Sequence, residues 1–482
     1  MKRLEALLEG LDSRGEIPAT VGGLTMDSRR VVIGDAFVAL GGRRTHGMAF
    51  ARDALAAGAS AVLHDGRAEV PADLAAHCVE VPGLAEHLPG IAARFWDDPA
   101  AALDLVAVTG TNGKTSVAWL LAQALDGAMI GTLGVGAPGA HEAGTLTTPD
   151  VLSLYAALAS LRDGGFSRVV LEASSHALDQ DRLAGLAFTT AVFTNLGRDH
   201  LDYHGSMEAY REAKARLFRG HASRRQLINA DDEFGRLMAA ELGESPGLIR
   251  YGLEREYRPD VLGAVRTASL DDLQLDVNTP EGRVCCRCGL VGRGNAWNVT
   301  IVVAELIARG HAPSDVVEIV QGLTPVPGRM NRIEGPAGQR VVIDYAHTPD
   351  ALAGALAALR ELVPGRLVCV FGCGGQRDRG KRAQMGRIAE SLADEVVLTN
   401  DNPRFENPLR ILRDIQTGMA RPERAVVIPD RRRAIERAVV PASAGDCVLV
   451  AGKGHETDQD FGSRRVRFSD FEAVQTALTE AA

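Results

Sequence analysis

The sequence lacks long apolar runs, and its first residues lack an uninterrupted apolar segment. No stretch of about 18 uncharged apolar residues occurs, so we expect no membrane-spanning helix. Residues 1–9 carry Lys2, Arg3 and Glu5 within their apolar stretch, which is not typical of a secretory signal peptide. With 46% hydrophobic and 24% charged residues, the composition is typical of a globular protein, and we predict a cytoplasmic one.

The sequence also lacks net positive charge and an ordered set of cysteines. A formal net charge of −9 argues against a general nucleic-acid binder, so local basic clusters must bind any anionic substrate. The seven cysteines are odd in number and scattered, which does not suggest a disulfide framework. Residues 285–288 (Cys-Cys-Arg-Cys) could bind a metal, but no second Cys/His pair lies at zinc spacing nearby. Their alternation favours structural cysteines in a strand.

Alternating strand and helix patterns predict an α/β protein with three domains. A chain of 482 residues is too long for one ordinary core, and turn residues at 97–100 and 325–328 indicate two boundaries. We predict a small N-terminal α/β domain at 1–102, a central domain at 103–328 and a second α/β domain at 329–482. The central domain should contain a doubly wound, mostly parallel sheet. Candidate strands are 36–40, 59–63, 168–172, 190–194, 226–229, 340–344, 367–371, 395–399, 425–428 and 447–451.

The residues from Leu105 to Val117 follow the order of strand, glycine-containing turn and helix start that is typical of a phosphate-binding site. An apolar strand ends at Gly110, a short polar turn follows, and Lys114 and Thr115 precede a helical pattern. Backbone N–H groups at a helix start face an anion, a lysine adds a point charge, and a threonine hydroxyl can bind Mg²⁺. Only two residues separate Gly110 from Gly113, so the spacing differs from the standard loop, and a simple glycine turn remains an alternative. We predict a nucleoside triphosphate site.

Two further segments follow predicted strands directly. Glu172 ends one strand and could hold Mg²⁺ near the phosphate loop, although Ser174 and Ser175 could equally cap a helix there. Residues 194–204 are dense in Asp and His and could either bind a metal or form a hydrogen-bonded turn. The carboxyl ends of strands are where functional groups gather in such sheets.

Lys214 lies on the apolar face of a predicted helix at residues 206–218. It is four residues from both Tyr210 and Phe218, so helical spacing places all three side chains together. A buried lysine is unfavourable unless it is paired or modified, whereas a lysine at the edge of the face could extend to solvent. The sharper interpretation is that CO₂ carbamylates the amine and creates a metal-binding carboxylate.

Three loops of the last domain follow strands and should meet at one edge of the sheet. They are residues 372–382, 401–404 and 452–456. Arg377 and Arg404 offer bidentate carboxylate recognition, while Asp401 and Glu456 can accept hydrogen bonds from an ammonium. Each loop alone could be an ordinary turn; together they predict a site for a zwitterionic amino acid.

With these residues assembled, the sequence resembles the Mur ligase family almost from end to end. The motifs that carry the resemblance are Asp27-Ser-Arg29, Thr109-Gly-Thr-Asn-Gly-Lys-Thr115, Thr147-Thr-Pro149, Glu172-Ala-Ser-Ser-His176, Asn195-Leu-Gly-Arg-Asp-His200, Ala213-Lys214, Asp344-Tyr-Ala-His347 and Asp401-Asn-Pro-Arg404. The resemblance implies a UDP-sugar domain, a central P-loop ATPase and a C-terminal Rossmann-like domain. Gly197 and Gln376 stand where other polar residues are expected.

The resemblance also implies roles for individual residues. The catalytic set is Lys114, Glu172, His200 and Lys214. Two Mg²⁺ ions are expected at Thr115, Glu172, His200 and Lys214, the last as N6-carboxylysine. ATP is expected at Gly110, Thr111, Asn112, Gly113, Lys114, Thr115, Ser116, Asn295, Arg329 and Asp344. The UDP-muramoyl dipeptide is expected at Met26, Ser28, Arg43, Arg44, Thr45, Thr147, Thr148, Ser174, Gln180 and Arg182. The incoming amino acid is expected at Arg377, Asp401, Asn402, Pro403, Arg404, Gly452 and Glu456.

The implied reaction joins meso-diaminopimelate to UDP-N-acetylmuramoyl-L-alanyl-D-glutamate at the expense of ATP, through an acyl phosphate. Arg404 and Arg377 would bind the distal carboxylate, which L-lysine lacks, so we favour diaminopimelate over lysine. Rival interpretations are the lysine-adding ligase of the family, a folylpolyglutamate synthase-like ligase and a nucleotide-regulated binding protein. We expect a monomer with no nucleic-acid partner and no membrane span.

Overall fold

A computed structural model of the chain describes residues 1–42, 45–142, 146–221 and 223–480. It divides into two compact units, residues 1–248 and 249–482, which are described separately. The predicted domain boundaries near residues 102 and 328 lie within these units, and they stay predictions. In the part of the chain that is described, no helix has both the length and the apolar character to cross a membrane.

The first unit contains two sheets with helices between their strands. Its strands are β1 (Leu24–Thr25), β2 (Ala36–Ala39), β3 (Ala61–His64), β4 (Cys78–Glu80), β5 (Asp104–Thr109), β6 (Ala128–Gly131), β7 (Gly134–Ala137), β8 (Ala140–Glu142), β9 (Arg168–Glu172), β10 (Phe188–Phe193) and β11 (Ser223–Asn229). Its helices are α1 (Leu4–Leu7), α2 (Ala51–Ala56), α3 (Leu84–Phe95), α4 (Lys114–Ala124), α5 (Val151–Asp163), α6 (Ser175–Asp179), α7 (Leu201–His204), α8 (Met207–Arg219) and α9 (Glu233–Leu242).

The order of strands places the phosphate loop in the middle of the larger sheet. β1 to β4 form a parallel sheet in chain order, whereas the second runs β11-β10-β5-β9-β6-β7-β8. β5 pairs in parallel with both β10 and β9, and it is apolar and almost completely buried, as expected for a central parallel strand. The loops after β5, β9 and β10 therefore meet at one edge of the sheet.

The second unit begins within β12 and contains an antiparallel segment that the sequence did not predict. Its first strands are β12 (Leu248–Gly252), β13 (Val261–Ala268), β14 (Leu273–Thr279) and β15 (Gly282–Cys288). β13, β14 and β15 pair antiparallel in chain order, and α10 (Gly294–Ala308) and α11 (Pro313–Gln321) follow. In β15, Cys286 and Cys288 are buried whereas Cys285 is exposed, so the predicted alternation is that of a half-buried strand.

The rest of the second unit is a mostly parallel sheet of its own. Its strands are β16 (Asn331–Glu334), β17 (Arg340–Asp344), β18 (Leu367–Phe371), β19 (Glu395–Leu398), β20 (Val426–Val427) and β21 (Cys447–Ala451), in the order β16-β17-β21-β18-β19-β20. β22 (Asp458–Asp460) and β23 (Arg465–Arg467) form a separate hairpin. The helices are α12 (Pro349–Leu362), α13 (Gly380–Leu392), α14 (Pro408–Gln416), α15 (Arg431–Val439) and α16 (Asp470–Glu480). The predicted α/β class is confirmed.

A fully buried ion pair joins α15 to α16. The guanidinium of Arg431 donates to both carboxylate oxygens of Asp470 at 2.7 and 2.8 Å, and both side chains are 0% exposed. Arg431 also donates to the carbonyl of Ala451 at the end of β21. The pair therefore fixes both helices to the edge of the sheet that carries the loops.

Asp470→Asn should destabilise the C-terminal sheet, because it leaves the buried guanidinium without its counter-charge. We expect a loss of about 3 kcal/mol in the free energy of unfolding, measured by urea denaturation followed by circular dichroism. The control is Glu472→Gln in the same helix, which removes an exposed pair with Arg467 and should cost less than about 1 kcal/mol. Equal effects of the two substitutions would contradict the prediction.

Candidate functional site

The phosphate loop after β5 is braced against the loop after β10. Gly110 has a φ of 149°, and a Cβ there would overlap the Thr194 hydroxyl, so only glycine fits. The Thr111 N–H donates to the Asn195 carbonyl at 2.8 Å, and the Asn112 N–H donates to Asn195 Oδ1 at 3.0 Å. Gly113 then starts α4 with a φ of 86°, and Ser116 lies in its first turn. The loop is thus held by its neighbour in the sheet.

Two lysine side chains meet at the same backbone carbonyl of this loop. Lys114 Nζ donates to the carbonyls of Gly110 and Thr111, both at 2.9 Å, and Lys214 Nζ donates to Gly110 at 2.7 Å. Lys214 is 1% exposed. Burial lowers the pKa of Lys214 well below its usual value, and the positive charge of Lys114 lowers it further. A neutral amine is the form that reacts with CO₂.

Helix α8 covers the predicted helix, and it places Lys214 against the phosphate loop. Ser206 caps the helix by accepting a hydrogen bond from the Ala209 N–H at 3.1 Å. Lys214 Nζ lies 4.4 Å from the centre of the Tyr210 ring, and the Tyr210 hydroxyl is 3.0 Å from Thr111 Oγ1. Tyr210 therefore fixes both the lysine and the loop, a contact that spacing within one helix could not reveal.

Glu172 is a buried carboxylate directly beside the start of α4. It is 1% exposed; Thr115 Oγ1 donates to its Oε2 at 2.9 Å, and the Thr132 N–H donates to Oε1 at 2.7 Å. A Cβ on Gly131 would lie 2.9 Å from Cδ of Glu172 and still closer to Oε1. The carboxylate therefore needs glycine at 131. Ser174 also caps a helix, which was the alternative prediction for this segment: its hydroxyl accepts a hydrogen bond from the Ala177 N–H at the start of α6.

His200 belongs to a cluster of aromatic rings at the start of α7. Its ring is 4.8 Å from that of His176, and its Nε2 is 3.4 Å from Asp199 Oδ2. Burial lowers the pKa of His176 to about 4, and the nearby His200 contributes. Burial also lowers the pKa of His200, and both Lys114 and Lys214 add to this effect. At neutral pH both rings can act as neutral acceptors or ligands.

A second network lies beside Glu172 and contains most of the residues expected at the muramoyl dipeptide. Thr148 Oγ1 donates to the Glu172 carbonyl at 2.6 Å and lies 3.1 Å from Ser174 Oγ. Arg182 donates to the Thr148 carbonyl at 2.7 Å and to Gln180 Oε1. Thr147 is linked to the same region through Thr132, with 3.2 Å between their hydroxyl oxygens.

The remaining residues expected at the UDP moiety lie near the N-terminal sheet. Met26 and Ser28 follow β1, and Thr45 precedes the turn that leads to α2. No hydrogen bond among the described residues joins these three to the network around Thr148. Arg43 and Arg44 lie outside the described residues.

In the second unit, Asp344 ends β17 and is held by backbone donors. Its two oxygens accept from the N–H groups of Met330 and Ala346, both at 2.8 Å. Burial raises the pKa of Asp344. The Arg329 guanidinium lies 4.6 Å from the centre of the Tyr345 ring. Asn295 is at the start of α10, where its amide donates to the Val291 carbonyl at 2.8 Å.

The three loops of the C-terminal sheet come together. Arg404 Nη1 donates to the Gly375 carbonyl at 2.8 Å, and Asn402 Nδ2 donates to Glu456 Oε2 at 2.8 Å. Gly452 has a φ of 113°, and a Cβ there would lie 2.7 Å from Asp401 Oδ2. Arg377 is exposed beside Gly374, and Pro403 packs against Gly375. The arrangement presents a guanidinium and carboxylates at one edge of the sheet.

Several residues at these sites were missed by the sequence analysis. Thr132 follows β6, so the rule that functional groups follow strands could have found it. Lys453 lies between two predicted residues and hydrogen-bonds Glu456. Among the described residues, no group of three or more His, Cys, Asp and Glu side chains is arranged to hold a metal ion.

Fold and phosphate loop together define a nucleotide-binding α/β enzyme. Three parts of the chain match family profiles: residues 20–96 the Mur ligase family, catalytic domain; residues 108–306 the Mur ligase middle domain; and residues 328–454 the Mur ligase, glutamate ligase domain. The chain belongs to the Mur ligase family. It is therefore an ATP-dependent amide ligase with that family's three-domain fold.

Curated relatives and a solved structure resemble the chain over nearly its full length. A UDP-N-acetylmuramoyl-L-alanyl-D-glutamate–2,6-diaminopimelate ligase of Alkalilimnicola ehrlichii is 46% identical over 496 residues, covering 100% of this chain and 99% of the relative. The protein of that name from Pseudomonas aeruginosa is 47% identical, covering 94% of each chain. A solved structure of a ligase of that name is 35% identical with a TM-score of 0.69, covering 99% of both chains.

Gly131→Ala should displace the Glu172 carboxylate, because the added Cβ occupies its position. We expect weaker binding of ADP in the presence of Mg²⁺, measured by isothermal titration calorimetry, and a loss of about 1–3 kcal/mol of stability from overpacking. The control is Gly90→Ala in α3, where a Cβ meets nothing within 4 Å. Unchanged ADP affinity in a folded Gly131→Ala protein would show that the position of Glu172 does not matter for nucleotide binding.

Proposed function

We propose that the chain adds meso-2,6-diaminopimelate to the D-glutamate side-chain carboxylate of UDP-N-acetylmuramoyl-L-alanyl-D-glutamate, in peptidoglycan precursor synthesis. The observation that carries the proposal is the meeting of Arg404, Asn402 and Glu456 at one edge of the C-terminal sheet. The Arg404 guanidinium and the Glu456 carboxylate suit the distal carbon of diaminopimelate, which bears both a carboxylate and an ammonium group. The name shared by the relatives supports the same substrates.

In this proposal ATP binds at the phosphate loop after β5. Residues 110–116 contact the phosphates, and Asn295, Arg329 and Asp344 contact the rest of the nucleotide. A buried carboxylate such as Asp344, held by two N–H groups, is suited to accept hydrogen bonds from hydroxyl groups. The proposed domains are residues 1–102, 103–328 and 329–482.

The residues around Glu172 fit Mg²⁺, which prefers oxygen ligands. A buried carboxylate lies 2.9 Å from the Thr115 hydroxyl at the start of α4, where phosphate oxygens also bind. We assign Thr115, Glu172, His200 and modified Lys214 to two Mg²⁺ ions. When bound, such ions neutralise negative charge on the transferring phosphoryl group.

Carbamylation of Lys214 is supported by three features of its surroundings. The amine is buried, its pKa is strongly lowered by burial, and its Nζ donates to the Gly110 carbonyl. A carbamate would place negative charge near the Lys114 ammonium, where the unmodified amine meets a like charge. It would also add an anionic metal ligand at the phosphate loop.

The UDP-muramoyl dipeptide is assigned to the first unit. We propose that Met26, Ser28, Arg43, Arg44 and Thr45 bind the UDP moiety and that Thr147, Thr148, Ser174, Gln180 and Arg182 bind the dipeptide. Support comes from the network that connects Thr148, Ser174, Gln180 and Arg182 next to Glu172. Arg182 can exchange its contact with Gln180 for one with a substrate carboxylate.

The chemistry follows from the poor reactivity of a carboxylate. An oxygen of the D-glutamate side chain attacks the γ-phosphorus of ATP, the bond to ADP breaks, and Lys114 neutralises the developing charge. The amine of diaminopimelate then attacks the acyl carbon, phosphate leaves, and the amine loses a proton as the amide forms. The side chains of Arg377, Asp401, Arg404 and Glu456 hold the amino acid in place for this attack.

The rival functions differ from this proposal in the residues they need. A lysine-adding ligase would have no use for two arginines aimed at a distal carboxylate. A folylpolyglutamate synthase-like ligase would not need the N-terminal part that matches the Mur ligase family at residues 20–96. A binding protein would not need the Lys114, Glu172, His200 and Lys214 set. We further propose that the enzyme is cytoplasmic, since ATP and UDP-linked precursors are cytoplasmic compounds. We also propose that it is a monomer.

Phosphate release should require ATP, Mg²⁺, the UDP-linked dipeptide and meso-diaminopimelate, and L-lysine should not replace diaminopimelate. Arg404→Met should raise KM for diaminopimelate by about 30- to 100-fold, because a charge-assisted pair with the distal carboxylate is lost. Arg410→Met is the control, since its side chain is exposed on α14. Equal turnover with lysine would support the ligase activity but contradict the proposed specificity for diaminopimelate. Absence of turnover with both amino acids would contradict the proposed reaction.

The carbamate can be detected without an activity assay. Protein equilibrated with ¹³C-bicarbonate should give a carbamate carbon signal in NMR, and Lys214→Gln should abolish it because no amine remains to react with CO₂. Lys381→Gln, which removes a less buried lysine that donates to the His347 carbonyl, should leave the signal intact. A signal that survives Lys214→Gln would assign the modification elsewhere.

A further inference from the structure

Lysine is rare in this chain, and one buried lysine has no role in the reaction as described so far. Only five of the 53 basic residues are lysine: Lys2, Lys114, Lys214, Lys381 and Lys453. Lys114 and Lys214 meet at the phosphate loop, and Lys2 pairs with Asp97 at the surface. Lys453 follows β21 and its side chain is 0% exposed. Where the chain otherwise uses arginine, a fully buried lysine indicates a need for a compact ammonium group.

The ammonium of Lys453 uses all three of its donors, two on the amino-acid loops and one on β22. Nζ is 2.7 Å from Glu456 Oε2, 3.2 Å from Asn402 Oδ1 and 2.6 Å from the Asp458 carbonyl. An ammonium has three N–H donors and no acceptor, so its hydrogen-bonding capacity is filled. The planar guanidinium of arginine could not reach three acceptors arranged around one point in a space closed to solvent.

Two of these acceptors are side chains assigned to the incoming amino acid. Asn402 Nδ2 also donates to Glu456 Oε2 at 2.8 Å, so one carboxylate oxygen receives two hydrogen bonds. The carboxylate plane is thereby fixed while the Glu456 side chain remains 29% exposed. Asn402 Oδ1 accepts from the Asp460 N–H at 3.0 Å as well, which orients its amide.

The same contacts connect β22 to the loop that carries Arg404. The Asp460 carbonyl accepts from the Arg404 N–H at 2.9 Å, and Gln459 Nε2 donates to the Asp401 carbonyl at 2.9 Å. Lys453 is bonded to both sides of this connection, through Asn402 and through the Asp458 carbonyl. Removing its ammonium would leave Glu456 held by the Asn402 amide and Asn402 held by the Asp460 N–H, so each side chain would lose one of its two restraints.

We propose that Lys453 is a positioning residue for amino-acid specificity. It holds Glu456 and Asn402 in the orientation that receives the ammonium of the diamino acid, and it does not touch the substrate itself. This inference rests on the proposed function, because Glu456 and Asn402 are assigned to diaminopimelate there. A preoriented acceptor binds more tightly, since less side-chain freedom is lost on binding.

Lys453→Met tests the proposal, since it keeps an unbranched chain of similar length and removes the ammonium. We expect KM for diaminopimelate to rise by about 10- to 100-fold, while KM for ATP and for the UDP-linked dipeptide change by less than about threefold. Arg410→Met, which removes an exposed cation from α14 in the same unit, is the control and should leave all three KM values unchanged. Equal rises in all three KM values would indicate a general structural role and overturn the proposal.

Comparing Lys453→Met, Glu456→Gln and the double variant shows whether Lys453 acts on KM through Glu456 or independently of it. If Lys453 acts through Glu456, Lys453→Met should add little to the KM change of Glu456→Gln, so the two effects should not multiply. Multiplying effects would overturn the proposal. If Lys453→Met does not fold, Lys453→Gln gives the same comparison, because its amide N–H can still reach Glu456 or Asn402, and its rise in KM should be smaller.

Measurements on the wild-type enzyme distinguish failure of the proposed function from failure of the proposed role of Lys453. Absence of turnover with diaminopimelate in the wild type would reject the proposed function. Turnover in the wild type together with an unchanged KM for diaminopimelate in Lys453→Met would reject only the role of Lys453.

Discussion

Two lysine side chains meet at the carbonyl oxygen of Gly110, and the geometry of the phosphate loop depends on that meeting. Lys114 reaches it from the first turn of α4 and Lys214 from α8. Burial lowers the pKa of Lys214, and the positive charge of Lys114 lowers it further, so the neutral amine is favoured at this point. The proposed carbamate would form from that neutral amine. The positions of α8, of Tyr210 and of the loop after β10 all serve to keep this point closed to solvent.

Glycine at two positions allows the charged groups to approach the backbone so closely. Gly110 lets the strand turn against Thr194, and Gly131 leaves the volume that the Glu172 carboxylate occupies. Glu172 in turn links Thr115 at the start of α4 with Thr132 after β6. The anionic and cationic halves of the proposed phosphoryl-transfer site are therefore both held by main-chain contacts, which supports preorganisation of the kind that electrostatic catalysis requires.

At the proposed amino-acid site of the C-terminal sheet, a glycine again makes room for a carboxylate, and neighbouring side chains again orient one. Gly452 makes room for Asp401, and Lys453 and Asn402 orient Glu456. Below the surface, Arg382 is 0% exposed and bonds both Glu406 and Asp414, while Glu406 accepts from the Gln376 N–H, so the loops at 374–376 and 403–407 are joined. The Glu456 carboxylate is thus held by a buried ammonium, and the loops at 374–376 and 403–407 are held by a buried guanidinium through Glu406.

Sequence alone determined the α/β class and about half of the strands in the described residues, because an apolar run followed by glycine and polar residues is a local signal. β9, β17, β18 and β21 have the predicted bounds, and the helix of Lys214 was found from spacing within one element. The antiparallel β13–β15 segment was not predicted, since register between strands depends on pairing rather than on pattern. Only the tertiary structure decided that Lys214 and Lys114 share one carbonyl, that Gly131 faces Glu172 and that Lys453 orients Glu456. These are contacts between residues distant in sequence or dependent on loop geometry, and their energies exist only once the chain has brought the atoms together.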